Sequence, residues 1–333
     1  MKAGKEKRFY ILSLLLIAIA LGFMSGWLAR GGKTKKDLGE SSLSTLRLSG
    51  YEYINPLLVC DTETDEDSEV SKRLERLVGE IIDRNVRKGN ISQASVYYRD
   101  LSSGVSANIN EAERYYPASL SKIPVMMAIF KISRNNPDFL NKEILWNNST
   151  DYNASQIIKP QKFLENGKSY RIIEAIEYMI KYSDNNSFYF LTENIDKETF
   201  NTTFSDLLIP IRDDPNSSPD YITAKQFSYF FRVLYNATYL NRQYSETSLK
   251  LLSEIDYKNA LVAGLPEGTK VAHKYGYSSM QQDGTWQEFH DCGLVYKKEN
   301  APYLLCIMTK SKAELTKIED SVKEISAAVY NIN

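Results

Sequence analysis

Apolar and polar positions change their pattern along the 333-residue chain. Residues Phe9–Ala29 form an unbroken, uncharged and mostly apolar run. As a helix this run spans about 31 Å, which matches a hydrocarbon core of about 30 Å. Lys2, Lys5, Lys7 and Arg8 precede it, and no small-residue cleavage site ends it. Residues 1–30 therefore read as an uncleaved transmembrane anchor. Residues 31–49 are polar, with Gly and Ser, and read as a flexible linker. Residues 50–331 carry the periodicities of a folded domain.

Within that domain Val70, Leu74, Leu77, Val78, Ile81 and Ile82 recur at helical spacing, predicting a helix over 68–88. Residues 92–101 are rich in Val and Tyr and predict a strand. After Ser102, Ser103 and Gly104, the alternation of Val105, Ala107 and Ile109 predicts a second strand and a hairpin. From about 113 to 255 the pattern is mainly helical. Ile172, Ile176, Met179 and Ile180 form one stripe, and Thr223 with Gln226 forms a capping box ahead of Phe227, Phe230, Phe231 and Leu234. Strands return at 270–277, 286–296 and 302–309, as an antiparallel meander. Leu315, Ile318, Val322, Ile325 and Val329 mark a last helix. The expected class is α+β, an antiparallel sheet with helices split by an all-helical insertion.

Composition narrows the function classes. Apolar residues make up 43% and charged residues 25%, as in an ordinary globular protein. The net charge of −1 offers no bulk field for nucleic acid, so no nucleic-acid partner is expected. Two histidines and three cysteines leave little for a metal centre, and neither a metal nor a cofactor is expected. The run at 61–69 holds six acids in nine residues and reads as a solvated loop ahead of a helix.

Three short motifs carry candidate chemistry. Ser119-Leu120-Ser121-Lys122 opens an apolar helix, where residues three apart share a face, so Ser119 and Lys122 can meet. A serine hydroxyl needs a base to become a nucleophile, and a buried lysine can serve when its pKa falls. Ser183-Asp184-Asn185 follows a helix. It suits either a turn and N-cap or a hydroxyl and an amide aimed into a cleft. Lys274-Tyr275-Gly276 lies on a strand, as an edge lysine facing solvent or as a cation on a cleft wall beside a glycine that permits close approach. The second motif begins 64 residues after Ser119, and the third 91 residues after Ser183.

This order of S-x-x-K, S-D-N and K-x-G resembles class A β-lactamases, in the serine β-lactamase and penicillin-binding protein superfamily. The resemblance covers roughly residues 50–331. It implies a sheet flanked by helices, an all-helical subdomain and an active site between them. It assigns Ser119 as the acylated nucleophile, Lys122 as a candidate base and Ser183 as a proton shuttle. Asn185, Lys274 and Gly276 would bind substrate, and the Ser119 and Tyr277 amides would form the oxyanion hole. The implied partner is a small acyl substrate, a β-lactam or cell-wall peptide. Two departures stand out. Tyr275 replaces the usual Ser or Thr of the third motif. No E-x-x-x-N follows at the place of the deacylating glutamate, and Asp214, in Asp214-Pro215-Asn216, is the candidate substitute. Three outcomes stay open: a β-lactamase, a penicillin-binding or peptidase-like enzyme or esterase with slow deacylation, and an inactive cell-wall binding protein of the same fold.

The anchor and this chemistry together place the domain outside the cytoplasm, at the cell surface or in a periplasm. Cys292 and Cys306 lie opposite one another if the last hairpin turns near Glu299. They read as a disulfide or, preferably, as two buried free cysteines. Cys60 has no evident partner. His273 and His290 are expected to face each other across the preceding hairpin in a structural or substrate-wall role.

Overall fold

A computed structural model describes residues 47–57, 68–209, 221–279, 286–297 and 302–332. The span at 9–29, the linker up to residue 46, Cys60, most of the acidic run and Asp214 lie outside the described residues. Among the described residues no helix is long and apolar enough to cross a membrane. Leu46–Asn333 forms one compact unit.

Helix α1, Glu69–Arg87, begins where the Ser68 hydroxyl accepts the Ser71 N–H, and it buries Leu74, Val78, Ile81 and Ile82. Strands β1, Gln93–Asp100, and β2, Ser106–Ile109, form the expected hairpin. The C-terminal meander is β5, Lys270–Ser279, β6, Gln287–Tyr296, and β7, Tyr303–Ser311. The five strands make one antiparallel sheet in the order β2-β1-β7-β6-β5. The last helix, Leu315–Ile332, packs with α1 over one face. Its stripe of Ile318, Val322, Ile325 and Val329 is wholly buried there.

The region between β2 and β5 covers the other face. A 3-10 turn, Ala118–Ser121, leads into α2, Lys122–Ser133. Every residue of α2 from Ile123 to Phe130 is inaccessible or nearly so, so this helix is the centre of the core rather than an amphipathic cover. Helices α3, Ile172–Lys181, α4, Asn185–Glu193, and α5, Lys197–Ser205, follow. Then come α6, Ala224–Tyr235, and α7, Arg242–Ser253. The capping box forms as expected: the Gln226 N–H donates to Thr223 Oγ1, and the Thr223 N–H donates to Gln226 Oε1. Helix α6 lies against β7, β1 and β6, while α7 lies against β5. The final helix, after β7, is α8.

Three expectations change. The insertion is not all-helical: β3, Glu143–Trp146, and β4, Lys168–Arg171, pair as a ribbon. Both are four residues long and largely exposed, too short and polar to leave a strand signature. The two histidines do not face each other. His273 pairs with Gly293 and His290 with Gly276, because the hairpin centres near residue 283, and the rings lie on opposite faces. Cys292 and Cys306 are directly paired, both fully buried, and form a disulfide rather than two free thiols.

Candidate active site

The three motifs converge between α2, the turn joining α3 to α4, and edge strand β5. Ser119 sits in the 3-10 turn, half-buried, and Lys122 starts α2 one turn later, fully buried. Their Oγ and Nζ are 3.0 Å apart. Lys122 Nζ also donates to the Ser183 carbonyl and to Asn185 Oδ1, each at 2.7 Å, and lies 3.1 Å from Ser183 Oγ. The Asn185 amide is oriented by its Nδ2, which donates to the Tyr152 carbonyl at 3.1 Å. Burial pulls the Lys122 ammonium down from its ordinary value to about 7, against an opposing pull from the Asp184 carboxylate.

That number of partners decides the chemistry available. A neutral amine has two N–H bonds and one lone pair. The Ser183 carbonyl and Asn185 Oδ1 can only accept, so they take the two N–H bonds. The lone pair is then left for a hydroxyl proton, with Ser119 Oγ at 3.0 Å and Ser183 Oγ at 3.1 Å both in reach, and toward Ser119 this is the arrangement a general base requires.

Ser183 is buried with φ of 58°, in the left-handed region. Its turn is held by Asp184, which is fully buried and caps α4. Asp184 Oδ1 accepts from the Asn186 N–H at 3.0 Å and Asn153 Nδ2 at 2.7 Å. Oδ2 accepts from the Leu164 N–H at 3.0 Å, the Ser187 N–H at 2.9 Å and the Ser187 hydroxyl. The two readings of this motif thus both hold, on different residues: Asp184 caps, while Ser183 and Asn185 face Lys122. The partners Tyr152, Asn153 and Leu164 come from the long loop between β3 and β4. Sequence reasoning missed them, although the polar run Asn147–Ser155 was the available signal.

Lys274 is on an edge strand yet fully buried. Its Nζ donates to Ser183 Oγ at 3.0 Å. Burial and the like charge of Lys122 hold it well below its ordinary value. Next to it the Tyr275 ring stacks on Tyr257 at 4.2 Å, and burial raises its phenol to about 12. Gly276 lies hard against the nucleophile turn. A Cβ there would stand 2.9 Å from the Pro117 carbonyl oxygen and 3.2 Å from the amide nitrogens of Ser119 and Leu120. Tyr277 follows on the same edge, its phenol donating to Gln287 Oε1 at 3.0 Å. A cavity of about 260 Å³ opens beside Tyr275 and Tyr182 and is lined in part by Lys159, Gln161, Lys258 and Asn259.

Ser119, Lys122, Ser183, Asn185 and Lys274 are therefore one hydrogen-bonded cluster, with Gly276 abutting it. His273 and His290 stand apart from it. His273 pairs with Asp291 at 2.8 Å, and His290 meets the Tyr116 carbonyl at 2.9 Å.

A family model described as the beta-lactamase enzyme family matches residues 73–332. No curated protein matches the chain. Among solved structures, a mutant of PBP-A in an acyl-enzyme complex with penicillin G is similar at 20% identity and a TM-score of 0.65. The match covers 78% of this chain and 96% of that one. The TLA-3 extended-spectrum beta-lactamase is similar at 18% identity and a TM-score of 0.68, over 79% of this chain and 100% of that one. A class A beta-lactamase representative from Bacteroides cellulosilyticus gives 17% and 0.65, over 78% and 98%. At these identities the likeness is one of fold.

Proposed function

The chain belongs to the beta-lactamase enzyme family, and from that premise we propose that it is a serine hydrolase that forms an acyl-enzyme at Ser119 with β-lactams or related amides and esters. The observation that carries this reading is the 3.0 Å contact between Ser119 Oγ and a buried Lys122 poised at about 7. At neutral pH a large fraction of Lys122 is then a neutral base.

In the proposed sequence Ser119 Oγ bonds to the acyl carbon while its proton passes to Lys122 Nζ. The carbonyl π electrons move to oxygen, and in this reading the Ser119 and Tyr277 amides receive the oxyanion. As the intermediate collapses the C–N or C–O bond breaks. Ser183 gives its proton to the departing atom and recovers one from Lys122 or Lys274, both within hydrogen-bonding distance of its oxygen. Water completes the cycle by hydrolysing the ester at Ser119. Asp214 is the residue proposed to activate that water, and slow deacylation would make the protein peptidase-like or penicillin-binding. Lys274, beside Ser183, is the residue proposed to meet an acidic group on the substrate.

The reading extends to location. The apolar run at 9–29 supports a membrane anchor. The buried Cys292–Cys306 disulfide supports an oxidising compartment outside the cytoplasm.

The test is intact mass over time after mixing the protein with benzylpenicillin, beside Ser119→Ala. A mass gain of one penicillin that is absent in S119A supports the acyl-enzyme. Its decay marks β-lactamase turnover, and its persistence the peptidase-like case. Equal labelling of S119A overturns the nucleophile. No labelling, with saturable binding of cell-wall fragments instead, supports a binding protein of this fold.

A further inference from the structure

The nucleophile turn is held in place from β6 as well as from its own helix. Ala118, directly before Ser119, has φ of 48°, a left-handed conformation that a residue with a Cβ adopts at a cost. Such a conformation persists only where its surroundings impose it. The chain enters the turn through Tyr115 and Tyr116, and all four of their backbone polar groups are taken. The Tyr115 N–H donates to the Ile222 carbonyl at 2.9 Å, and the Tyr115 carbonyl accepts from Ile222 at 3.3 Å. The Tyr116 N–H donates to Glu288 Oε2 at 2.9 Å. The Tyr116 carbonyl lies 2.9 Å from His290 Nε2.

Glu288 and His290 are two apart on β6, so they project from one face, the face that also carries Gly276 opposite His290. Both are fully buried. The tautomer of His290 follows from its partners. Nδ1 faces the Thr309 N–H at 3.3 Å and must accept, so Nε2 carries the hydrogen and donates to Tyr116. Tyr115 packs edge-on to the His290 ring at 5.4 Å. Lys310 lies 3.5 Å from Glu288 Oε1 and gives the buried carboxylate a counter-charge. A buried carboxylate and a buried imidazole thus grip the two polar groups of one peptide residue, three positions before the nucleophile.

We propose that Glu288 and His290 are positioning residues for Ser119: they clamp the Tyr116 backbone and so impose the left-handed turn that aims the nucleophile at Lys122. This rests on the acyl-enzyme reading above. Neither residue touches substrate, so their loss should slow the chemical step and leave binding almost alone.

The experiment uses the full chain in detergent. Acylation by a fluorescent penicillin is followed over a range of concentrations, giving a half-saturation value and a limiting rate constant. Amide exchange of the 114–121 segment is read by mass spectrometry without any ligand. Glu288→Leu removes the acceptor, while Glu288→Gln keeps one. His290→Phe keeps a ring against Tyr115 but removes the donor, and it serves should E288L fail to fold. Expected is a limiting rate lower by about 10²-fold in E288L or H290F, the cost of a misplaced reacting atom. Half-saturation should stay within about threefold, E288Q should recover most of the rate, and exchange should quicken at 114–121 but not in β5–β7. A limiting rate close to the parent's in E288L and H290F, or unchanged exchange at 114–121, overturns the clamp. If the parent itself takes no penicillin, the acyl-enzyme reading fails for that substrate. Exchange at 114–121 in the ligand-free variants then decides the clamp by itself.

Discussion

Lys122 and Lys274 approach one hydroxyl, Ser183 Oγ, from 3.1 and 3.0 Å. Burial penalises both ammonium groups, and the charge of Lys122 further disfavours that of Lys274. Both therefore titrate below the ordinary lysine range, Lys122 at about 7. The base is the neutral form, so the acylation rate constant should climb about tenfold per pH unit below 7 and level off above it. Stability follows the same shift. The unfolded chain holds its Lys122 proton up to the ordinary 10.5 and the folded chain loses it near 7. The unfolded state thus binds more protons between those values, and the Lys122 contribution makes the protein more stable as pH rises through that window. Stopped-flow acylation between pH 5 and 9 checks the first point. A rate that is flat or falls across that range would remove Lys122 from the role of base.

Ser183→Ala tests the shuttle. The substitution leaves the 3.0 Å contact of Ser119 with Lys122 and the carbonyl partner of Lys122 in place. It removes the hydroxyl that both lysines reach. Acylation by penicillin should fall by about 10²–10⁴-fold, the usual worth of a positioned proton donor, with S119-dependent labelling still detectable after long incubation. Time-resolved intact mass reads this directly. A rate within a few-fold of the parent would mean that another group protonates the leaving atom.

Local helix and turn geometry was enough to pair Ser119 with Lys122 and Ser183 with Asn185; that the two pairs would meet each other and Lys274 was what the resemblance to class A β-lactamases implied. Lys274 as a buried group was harder to see. Strand β5 is the sheet edge, but helices cover both faces of the sheet, so its sequence does not alternate between apolar and polar. An edge lysine and an inward lysine look the same in such a strand. Glu288 and His290 were equally hidden. Their spacing of two means nothing until the β6 register puts them against Tyr116. The ribbon of β3 and β4 left no signal in its exposed side chains. The loop between them is bound to the site through Asn153 and the backbone of Tyr152 and Leu164, which in a sequence read as ordinary loop composition.

Gly276→Ala probes the contact between β5 and the nucleophile turn. Its new Cβ would meet the Pro117 carbonyl oxygen at 2.9 Å, a backbone atom that cannot swing away. Either β5 or the turn must shift, and the shift falls on the Ser119 amide, a proposed oxyanion donor. Losing one such donor costs about 10²–10³ in rate. G276A should therefore stay folded by circular dichroism and acylate slower by about that factor. Parent-like acylation would show that the turn tolerates displacement and that the oxyanion is held elsewhere.

Asp184 separates architecture from chemistry within one motif. It accepts five hydrogen bonds while fully buried, and two of them reach Asn153 and Leu164 in the loop between β3 and β4. All five partners are donors, divided between the two carboxylate oxygens. Asn at this position would point its NH₂ at no fewer than two of them, whichever way the amide is turned. Asp184→Asn and Asp184→Ala should therefore be similarly damaging, each costing about 2–4 kcal/mol through donors left unpaired in a dry site. Urea unfolding of both variants measures this. The loop should also lose its attachment, so cleavage by a protease within 147–167 should accelerate before global unfolding. Full stability in D184N would show that the amide finds acceptors that this arrangement of donors denies it.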